Sequence, residues 1–415
     1  MNDSSTAILH YSAPPVIGGV EAVIDAHVHL LTEAGYPVAV IAGQGDDASF
    51  PNGTNFIRIP ELDSQYPQVL EMNPSLEAGT VPVGFEDLVG RITAALKPVL
   101  SEFKNVIVHN IFTKHFNLPL TVGLYRLLDA GGIGNCIAWC HDFTWTSPHS
   151  GHKVHPGYPW DLLRTYRPEV TYVVVSQRRQ RTLAKLLDVS PRQIKIVYNG
   201  VDPVVMLGLR QEGWALIQRL GVLDSDLVLL MPVRVTQAKN IELALKVVVE
   251  LKKRHSNPKL VLTGPPDPHD PENMDYYEFL RKLRGELNVE KEMRFVFESG
   301  PDPEEPYIID LPVVGDLYRV SDLMFMPSHR EGFGMPVLEA GLVGIPVVST
   351  AVPAAEEIGG RNVFIFSPDD PPEKVAELIL TRIEVDPVYR HKRQVRKEYT
   401  WKAIFQRDIE TMLRK

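Results

Sequence analysis

Short apolar runs recur along the whole chain. In the first half they occur at AILHYSA, YPVAVIAG, VIVHNI, IAWCHD, VTYVVVS and QIKIVYNG. In the second half they occur at LVLLMPV, KLVLTG, MRFVFES, DLMFMPS, IPVVST and NVFIFSP. Runs of this length, bounded by turn residues, are typical of strands that are buried on both faces of a parallel sheet.

Segments with helical periodicity separate many of these runs. They cover residues 21–34, 85–103, 240–255 and 275–287. Strands that alternate with helices predict an α/β protein, and two such series predict two doubly wound domains that face one another. The turn residues of NGVDP, at 199–203, mark the boundary between them. We therefore predict domains at 1–200 and 203–395, with Pro-rich and acidic loops at 264–275 and 299–312 inside the second domain.

Length and charge narrow the possible functions. The chain has 415 residues, which is long for one hydrophobic core, and its formal net charge of −9 argues against nucleic acid as the main partner. No apolar run is long enough to cross a membrane, and MNDSSTAILHYSAPP lacks the pattern of a signal peptide. Cys136 and Cys140 would be about 13 Å apart on one strand, too far for a disulfide. We expect core thiols and a cytoplasmic protein.

One segment combines charge with glycine between two apolar strands. It reads SHREGFGMPVLEAGLVGIPVVST and starts at Ser328. We predict a strand at 322–328, a helix that begins at Pro336, and a second strand at 345–350. The glycine-rich turn then lies at the carboxyl end of a parallel strand, where the start of the helix suits a phosphate. Glu339 in the first helical turn could accept hydrogen bonds from ribose hydroxyls, or it could merely complement the helix dipole. Glu331 could reach a group beyond the phosphates or be solvated.

This segment resembles the E-x7-E signature of the retaining glycosyltransferases of family 4, which have the GT-B fold of two facing Rossmann-like domains. The resemblance implies that Glu331 contacts the donor sugar and that Glu339 binds the ribose of the nucleotide. It also implies that the intervening backbone cradles the sugar and the diphosphate, through Gly332, Phe333, Gly334, Met335, Val337 and Leu338. The donor would be a UDP- or GDP-linked sugar, used as a co-substrate without any cofactor.

Three other segments resemble the same family. In MPVRVTQAKNIELAL, Arg234 and Lys239 match the family's Arg–Lys pair, which brackets the diphosphate and stabilises the leaving nucleotide. In PPVIGGVEAVIDAHVHLL, Gly18 and Gly19 match a glycine-rich loop that lets backbone approach the donor. YTWKAIFQRDIETMLRK, at about 400–415, resembles the closing helix that crosses back to the first domain.

A histidine follows one of the predicted strands of the first domain. His141, in AWCHDFTW, matches a family position near the reacting carbon of the donor, where a neutral imidazole would orient the sugar. Asp142 beside it could hold the imidazole ring or bind the acceptor. The following loop contains His149, His152 and His155, but its Pro and Gly residues fix no common ligand face, so we predict no metal site. Arg and Lys would supply the positive charge, which implies a metal-independent enzyme.

We therefore predict a retaining hexosyltransferase that uses a nucleoside-diphosphate sugar. A nucleotide-sugar epimerase of the same fold and a non-catalytic nucleotide-sugar-binding protein are the alternatives. The helices predicted at 21–34 and 85–103 are acidic on balance, which disfavours a stable membrane association and favours a small, polar acceptor. Lys114 and Arg164 are the cations that we predict for an anionic acceptor. The sequence leaves open whether copies of the chain form a homo-oligomer.

Overall fold

The computed structural model describes residues 4–254, 257–266 and 272–414. The chain divides into two compact units. Unit 1 comprises Met1–Gly200 and Trp401–Lys415, and unit 2 comprises Val201–Thr400. The predicted α/β class is confirmed, because each unit contains one parallel sheet with helices on both of its faces.

Unit 1 has a seven-stranded sheet within its described residues, in the order β3-β2-β1-β4-β5-β6-β7. Its strands are β1 (Thr6–Leu9), β2 (Val38–Ala42), β3 (Thr54–Arg58), β4 (Asn105–His109), β5 (Asn135–Cys140), β6 (Thr171–Val174) and β7 (Ile194–Ile196). Its first helices are α1 (Gly19–Glu33), α2 (Pro67–Glu77), α3 (Phe85–Leu100), α4 (Leu118–Asp129) and α5 (Gln177–Leu186). This is the doubly wound strand order, which reverses between β1 and β4.

Unit 2 repeats the arrangement with six strands along its described residues, in the order β10-β9-β8-β11-β12-β13. Its strands are β8 (Leu227–Met231), β9 (Pro258–Leu262), β10 (Met293–Phe295), β11 (Leu323–Met326), β12 (Val347–Thr350) and β13 (Phe364–Phe366). Its helices are α6 (Pro203–Leu207), α7 (Gln211–Leu220), α8 (Ile241–Lys252), α9 (Glu272–Glu286), α10 (Leu311–Val320), α11 (Met335–Val343), α12 (Pro372–Glu384) and α13 (Pro387–Glu398). The order reverses between β8 and β11.

The chain after unit 2 returns to unit 1 as α14 (Trp401–Ile404), a π-helical turn (Phe405–Ile409) and α15 (Glu410–Leu413). Phe405 and Leu413 pack in the same core cluster as Ile8 of β1 and Val40 of β2. The predicted crossover to the first domain is therefore present, as a broken helix rather than a continuous one. Trp401 also lies against Gly200, where an added Cβ would be 2.7 Å from its Cα.

Alternate strand residues face opposite sides of each sheet, which explains the continuous apolar runs. In β1, Leu9 packs in the cluster with α3 and α4, whereas Ile8 packs in the cluster with α1. Cys136 and Cys140 are free thiols buried in the first of these clusters. Along the described chain, no helix is long and apolar enough to cross a membrane.

A few sequence-based boundaries differ from the structure. Strand β3 was not predicted, because this edge strand has only intermediate and exposed side chains and therefore no apolar run. Helix α9 begins at Glu272, so the predicted loop at 264–275 is partly helical, and its residues 267–271 lie outside the described chain. Helix α8 ends at Lys252. Its predicted end, residue 255, lies outside the described residues.

Candidate functional site

Polar residues of unit 2 gather where the strand order reverses. Strands β8 and β11 are direct neighbours there, with Leu323 in register with Leu229. The loop after β8 carries Arg234 and Lys239, and the loop after β11 carries Glu331. In a doubly wound sheet, ligands bind outside the carboxyl ends of the strands at this reversal. We call this part of unit 2 the β8–β11 edge.

Lys239 and Glu331 form an ion pair at the β8–β11 edge. The Nζ of Lys239 lies 2.5 Å from the Oε1 of Glu331, and the two side chains are only 17% and 11% exposed. The hydroxyl of Ser328 donates to the same carboxylate oxygen at 2.9 Å. The backbone N–H of His329 donates to the carbonyl of Ala238 at 2.9 Å, so the two loops are also joined through their main chains. The structure therefore brings together two residues that are far apart in the sequence.

Arg234 lies on a short turn that the chain after β9 holds in place. The N–H of Gly264 donates to the carbonyl of Val233, and the N–H of Val235 donates to the carbonyl of Pro265, both at 3.0 Å. A Cβ on Gly264 would come within 2.5 Å of the Val233 oxygen and 2.8 Å of the Arg234 Cα. Glycine is needed there because the two loops touch through their backbones. The exposed Arg234 is thus fixed at the end of β8.

The glycine-rich turn runs directly into α11. Gly334 has a φ of 99°, a conformation that favours glycine, and it precedes the helix without a side-chain cap. Phe333 is anchored through its backbone, because its carbonyl accepts from the N–H of Ala354 at 2.8 Å. Gly332, Phe333 and Met335 are exposed, whereas Val337 packs in the core and Leu338 is half-buried. Any ligand contact by Val337 would therefore have to come from its backbone.

The prediction that Glu339 lies in the first turn of its helix is wrong. Helix α11 begins at Met335 rather than Pro336, so Glu339 is its fifth residue and lies beyond the first turn. Proline at the second helical position still leaves no intrahelical hydrogen bond unmade. The hydroxyl of Tyr318, from the neighbouring α10, donates to the Oε2 of Glu339 at 2.7 Å. Burial raises the pKa of Tyr318, which therefore remains a donor at neutral pH.

Unit 1 carries a different group at its own strand reversal. His10 follows β1, His109 ends β4 and His141 follows β5, which places three imidazoles on adjacent strands. The Nδ1 of His10 donates to the carbonyl of His109 at 2.9 Å, and the Nδ1 of His109 lies 3.2 Å from the Nε2 of His141. His27 of α1 packs beside them, with its ring 5.5 Å from that of His109. We call these four residues the histidine cluster.

The histidine cluster is uncharged at neutral pH. Burial lowers the pKa of His10 and His141 to about 4 and that of His27 to about 3. Burial, followed by repulsion from His141, also holds the pKa of His109 well below its ordinary value. Because charging any of these rings would place a cation in the core, all four stay neutral. His10, His109 and His141 make the hydrogen bonds of the cluster, whereas neither ring nitrogen of His27 has a partner among the described residues.

Gly18 and Gly19 lie at the start of α1, beside the histidine cluster. Gly18 is the residue before the helix and Gly19 is its first residue. A Cβ on Gly18 would come within 2.1 Å of the Oε2 of Glu21, whose other oxygen accepts from Ser12 at 2.6 Å. A Cβ on Gly19 would meet nothing within 4 Å, so that position is open to a ligand.

The segment after β5 is shaped by Asn110, which adopts a positive φ of 60°. Its Oδ1 accepts from the backbone N–H groups of His141 at 2.8 Å and Asp142 at 3.2 Å. The hydroxyl of Thr113 donates to the Asp142 carbonyl at 2.7 Å. These bonds fix His141 and Asp142 relative to the end of β4.

A cleft of about 430 Å³ opens beside Asp142. Four charged residues line it: Lys114, Asp142, Arg178 and Arg179. The Nη2 of Arg179 is 2.6 Å from the Oδ1 of Asp142. Of the two cations predicted for an anionic acceptor, Lys114 lines this cleft and Arg164 does not. Its guanidinium pairs with Asp161 at 2.7 Å and stacks 4.0 Å from the centre of the Trp145 ring.

The three histidines of the loop after β5 do not form a common site. The Nε2 of His155 lies 2.9 Å from the carbonyl oxygen of Glu77, and neighbouring Lys153 pairs with the carboxylate of Glu77. Within residues 4–254, 257–266 and 272–414, no group of three or more His, Cys, Asp or Glu side chains is placed to hold a metal ion.

Sequence reasoning missed several of these residues. In AILHYSA, VIVHNI and IAWCHD a histidine directly follows three or four apolar residues, at His10, His109 and His141, and that repetition was a usable signal. Tyr318, Arg178 and Arg179 carry no comparable signal, because only the packing of α10 brings Tyr318 to Glu339 and only the packing of α5 brings the two arginines to the loop after β5.

Two family models cover most of the chain. The model described as "Glycosyltransferase Family 4" matches residues 17–205, and the model described as "Glycosyl transferases group 1" matches residues 212–400. The mannosylglucosylglycerate synthase of Petrotoga mobilis is 25% identical over 351 residues, which are 78% of this chain and 73% of that protein. The D-inositol 3-phosphate glycosyltransferase of Saccharomonospora viridis is 28% identical over 371 residues, which are 82% of this chain and 80% of that protein.

Solved structures of similar length also align with the chain. A glycosyltransferase from Rickettsia africae is 16% identical and has a TM-score of 0.37, with 99% of this chain and 98% of that chain covered. A sucrose-phosphate synthase from Thermosynechococcus elongatus is 17% identical and also has a TM-score of 0.37, with the same coverage.

Proposed function

Because this chain belongs to the glycosyltransferases, with family 4 sequence in its first half and group 1 sequence in its second half, we propose that it transfers a hexose from a nucleoside-diphosphate sugar to a small polar acceptor. The anomeric configuration of the hexose is retained. The observation that carries this proposal is the Lys239–Glu331 pair beside Arg234 at the β8–β11 edge. The pair combines a cation for a diphosphate with a carboxylate for sugar hydroxyls.

The donor diphosphate would bind between Arg234 and Lys239. A lysine ammonium has three N–H donors, so Lys239 can keep its bond to Glu331 and still donate to a phosphate oxygen. When the glycosidic bond breaks, its electron pair moves to the diphosphate, and the fixed positive charges stabilise that product. We therefore expect no metal requirement, and treatment with EDTA should leave the rate unchanged.

Glu331 and Glu339 would orient the sugar and the ribose. Glu331 accepts from both Lys239 and Ser328, which fixes its carboxylate while its second oxygen remains to accept from a hydroxyl of the sugar. Glu339 is held by Tyr318 in the same way. Carboxylates that are already oriented lose little freedom when the ligand binds, so more of the interaction contributes to affinity.

His141 would act on the sugar as a neutral donor or acceptor. Its ring is held by His109, and its lowered pKa of about 4 keeps it uncharged at neutral pH. A neutral imidazole does not repel the positive charge that develops on the anomeric carbon. In the retaining reaction, the acceptor oxygen attacks the anomeric carbon from the same face as the departing phosphate. The proton of the acceptor hydroxyl passes to the phosphate oxygen that leaves.

The acceptor is proposed to be small and polar. The name of the Saccharomonospora viridis relative includes an inositol phosphate, and the name of the Petrotoga mobilis relative includes a glycerate. The charge argument against membranes overlooked α5, on which Arg178, Arg181 and Lys185 are exposed. Sedimentation with anionic vesicles at low salt tests the point, since each basic residue near such a surface contributes about 1 kcal/mol to binding. Vesicle binding together with a glycolipid product would refute the polar acceptor.

Turnover assays test the transfer itself. A panel of UDP- and GDP-linked hexoses is first screened by thermal shift, because a ligand that binds the folded state raises its stability. The stabilising donors are then incubated with polyols, sugar acids and sugar phosphates, and free nucleotide and glycoside are quantified. We expect nucleotide release that depends on the acceptor. Isomerisation of the donor without any acceptor would instead indicate an epimerase, and saturable donor binding without any product would indicate a binding protein.

A further inference from the structure

The cleft beside Asp142 is positively charged, whereas the protein as a whole is negatively charged. The formal net charge of the whole chain is −9, yet the cleft brings together three cations and a single carboxylate. Lys114 comes from the loop after β4, Asp142 from the loop after β5, and Arg178 and Arg179 from the first turn of α5. Separate elements therefore converge on one concave surface.

Arg179 repels Lys114, and both Arg178 and Arg179 lie in the first turn of α5, where the helix itself is partially positive. The N-terminus of a helix carries a partial positive charge, and the first turn of α5 contains no acidic residue to compensate it. Burial and the nearby Arg179 lower the pKa of Lys114, against the opposing effect of Asp142. An anion in the cleft would relieve this repulsion.

Only one of the cations is already neutralised. Asp142 pairs with Arg179 at 2.6 Å, and the Arg179 guanidinium also lies 5.4 Å from the centre of the Phe143 ring, so its position is fixed. Within the described residues, the guanidinium of Arg178 and the ammonium of Lys114 have neither an ion pair nor a hydrogen bond, although the Lys114 ammonium lies 4.5 Å from the centre of the Phe116 ring. Both therefore have donors available for a ligand.

The rest of the lining suits a polyhydroxylated molecule. Thr146, Ser147 and Thr182 also line the cleft, and a hydroxyl can both donate and accept. The hydroxyl of Thr182 already donates to the carbonyl of Arg178 at 3.0 Å, so it remains an acceptor. The volume of about 430 Å³ is within the usual range for small-ligand sites and leaves room for more than an inorganic ion.

We infer that this cleft binds the oxyanion of an acidic, sugar-like acceptor, with Lys114 and Arg178 in direct contact with a carboxylate or phosphate and Asp142 holding Arg179 in position. The identification of the bound molecule as the acceptor rests on the proposed glycosyl transfer; the selection of an anion rests on the cleft alone. Lys114 and Arg178 are then the residues that determine acceptor specificity.

Ligand-observed NMR on the full chain tests the selection of an anion. The probes are glucose 6-phosphate, glucuronate and inorganic phosphate, with glucose as the neutral counterpart. We expect the wild-type protein to bind the sugar anions and not glucose. In Lys114→Gln and Arg178→Gln, binding should weaken about tenfold, the effect of losing one hydrogen bond between charged groups.

Arg181→Gln is the matched control, because Arg181 is exposed one turn further along α5 and does not line the cleft. It should bind the anions as the wild type does, and thermal melting should show that all three variants are folded. The inference is overturned if none of the anions binds at millimolar concentration, if glucose binds equally well, or if Arg181→Gln loses as much affinity as Arg178→Gln.

Kinetics separate this inference from the proposed function. With an active acceptor, Lys114→Gln and Arg178→Gln should raise the acceptor KM, while the donor KM and the rate at saturating acceptor stay near wild type. Transfer that prefers neutral acceptors and ignores both variants would refute the anion site but leave glycosyl transfer intact. Selective anion binding without turnover of any nucleotide sugar would refute the transfer reaction and leave the anion site standing.

Discussion

Six strands of each sheet follow the same order, and unit 1 adds β7 at one edge. At the point where the order reverses, unit 2 carries charged side chains and unit 1 carries neutral ones. The β8–β11 edge of unit 2 holds a charged pair, in which Lys239 bonds to Glu331 at 2.5 Å. The corresponding edge of unit 1 holds the histidine cluster, whose members are neutral because burial lowers the pKa of each. The difference lies in the residues that directly follow the strands.

That difference separates two kinds of chemistry. Fixed charges at the surface of unit 2 suit a ligand that is itself charged, such as a diphosphate. Neutral imidazoles in unit 1 suit hydroxyl groups and a reacting centre that becomes positive. The same backbone topology supports both, so the strand order identifies where a ligand binds and the side chains decide which ligand it is.

The largest effect is expected for Lys239→Ala, which removes one of the two cations of the β8–β11 edge and leaves Glu331 without its partner. The turnover number should fall by about 10²- to 10³-fold, the usual loss when one preorganised group that stabilises developing charge is removed. Nucleotide release at saturating donor and acceptor measures it. Lys246→Ala on the exposed face of α8 is the control and should keep wild-type activity. Equal rates in the two variants would mean that Lys239 does not contribute to the donor site.

A smaller effect is expected for Tyr318→Phe, which deletes the hydrogen bond to Glu339. Without it the carboxylate is no longer held, so the donor KM should rise by up to about tenfold while the turnover number changes little. Tyr307→Phe is the matched control. It also deletes a hydrogen bond from a tyrosine hydroxyl to a glutamate, but the acceptor is the exposed Glu212. A donor KM unchanged in Tyr318→Phe would argue that Glu339 does not contact the nucleotide.

In unit 1, the electrical state of the histidine cluster can be tested through pH. An unfolded chain protonates histidine near pH 6.5, but the pKa of folded His27 is about 3. Between these values the unfolded state binds more protons, so the free energy of unfolding decreases as the pH falls. The slope for this residue is at most about 1.4 kcal/mol per pH unit. His27→Phe should flatten the dependence, as measured by urea denaturation at about pH 7 and about pH 5.

His29→Phe, on the exposed side of the same helix, is the control for His27→Phe. It removes an exposed imidazole 3.7 Å from Asp25, so it should change the pH dependence of stability far less than His27→Phe does. A dependence that is identical in the two variants would mean that His27 is not buried as a neutral ring.

The smallest effect is expected for Arg164→Gln. This variant tests whether the acceptor site in unit 1 is confined to the cleft, which Arg164 does not line. Arg164 pairs with Asp161 at the surface and stacks on Trp145, so its loss should cost about 0–1 kcal/mol of stability. The acceptor KM should stay at its wild-type value. An increase as large as that of Arg178→Gln would mean that the acceptor extends beyond the cleft.

The same comparison explains what the sequence could predict. In unit 2, strand, glycine turn and helix are consecutive, so Glu331 and Glu339 could be placed near one another from local pattern alone. Even there, a start at Met335 instead of Pro336 was enough to move Glu339 out of the first turn. In unit 1, the cleft joins residues near 114, 142 and 178, and no local periodicity records which loops and helices meet. Arg164 was chosen and Arg178 overlooked for that reason.

The broken helix at 401–414 has a consequence for how the protein is made. Asn105 of β4 and Asn135 of β5 donate to the carbonyls of Leu413 and Met412, at 3.4 and 3.0 Å. A ribosome synthesises these acceptors only after the whole of unit 2. Unit 2 is continuous in sequence and can complete its core first, whereas in unit 1 the face of the sheet that α1 shares with the returning chain is only partly covered until the chain returns. The ribosome therefore begins unit 1 before unit 2, but unit 2 can finish folding before unit 1.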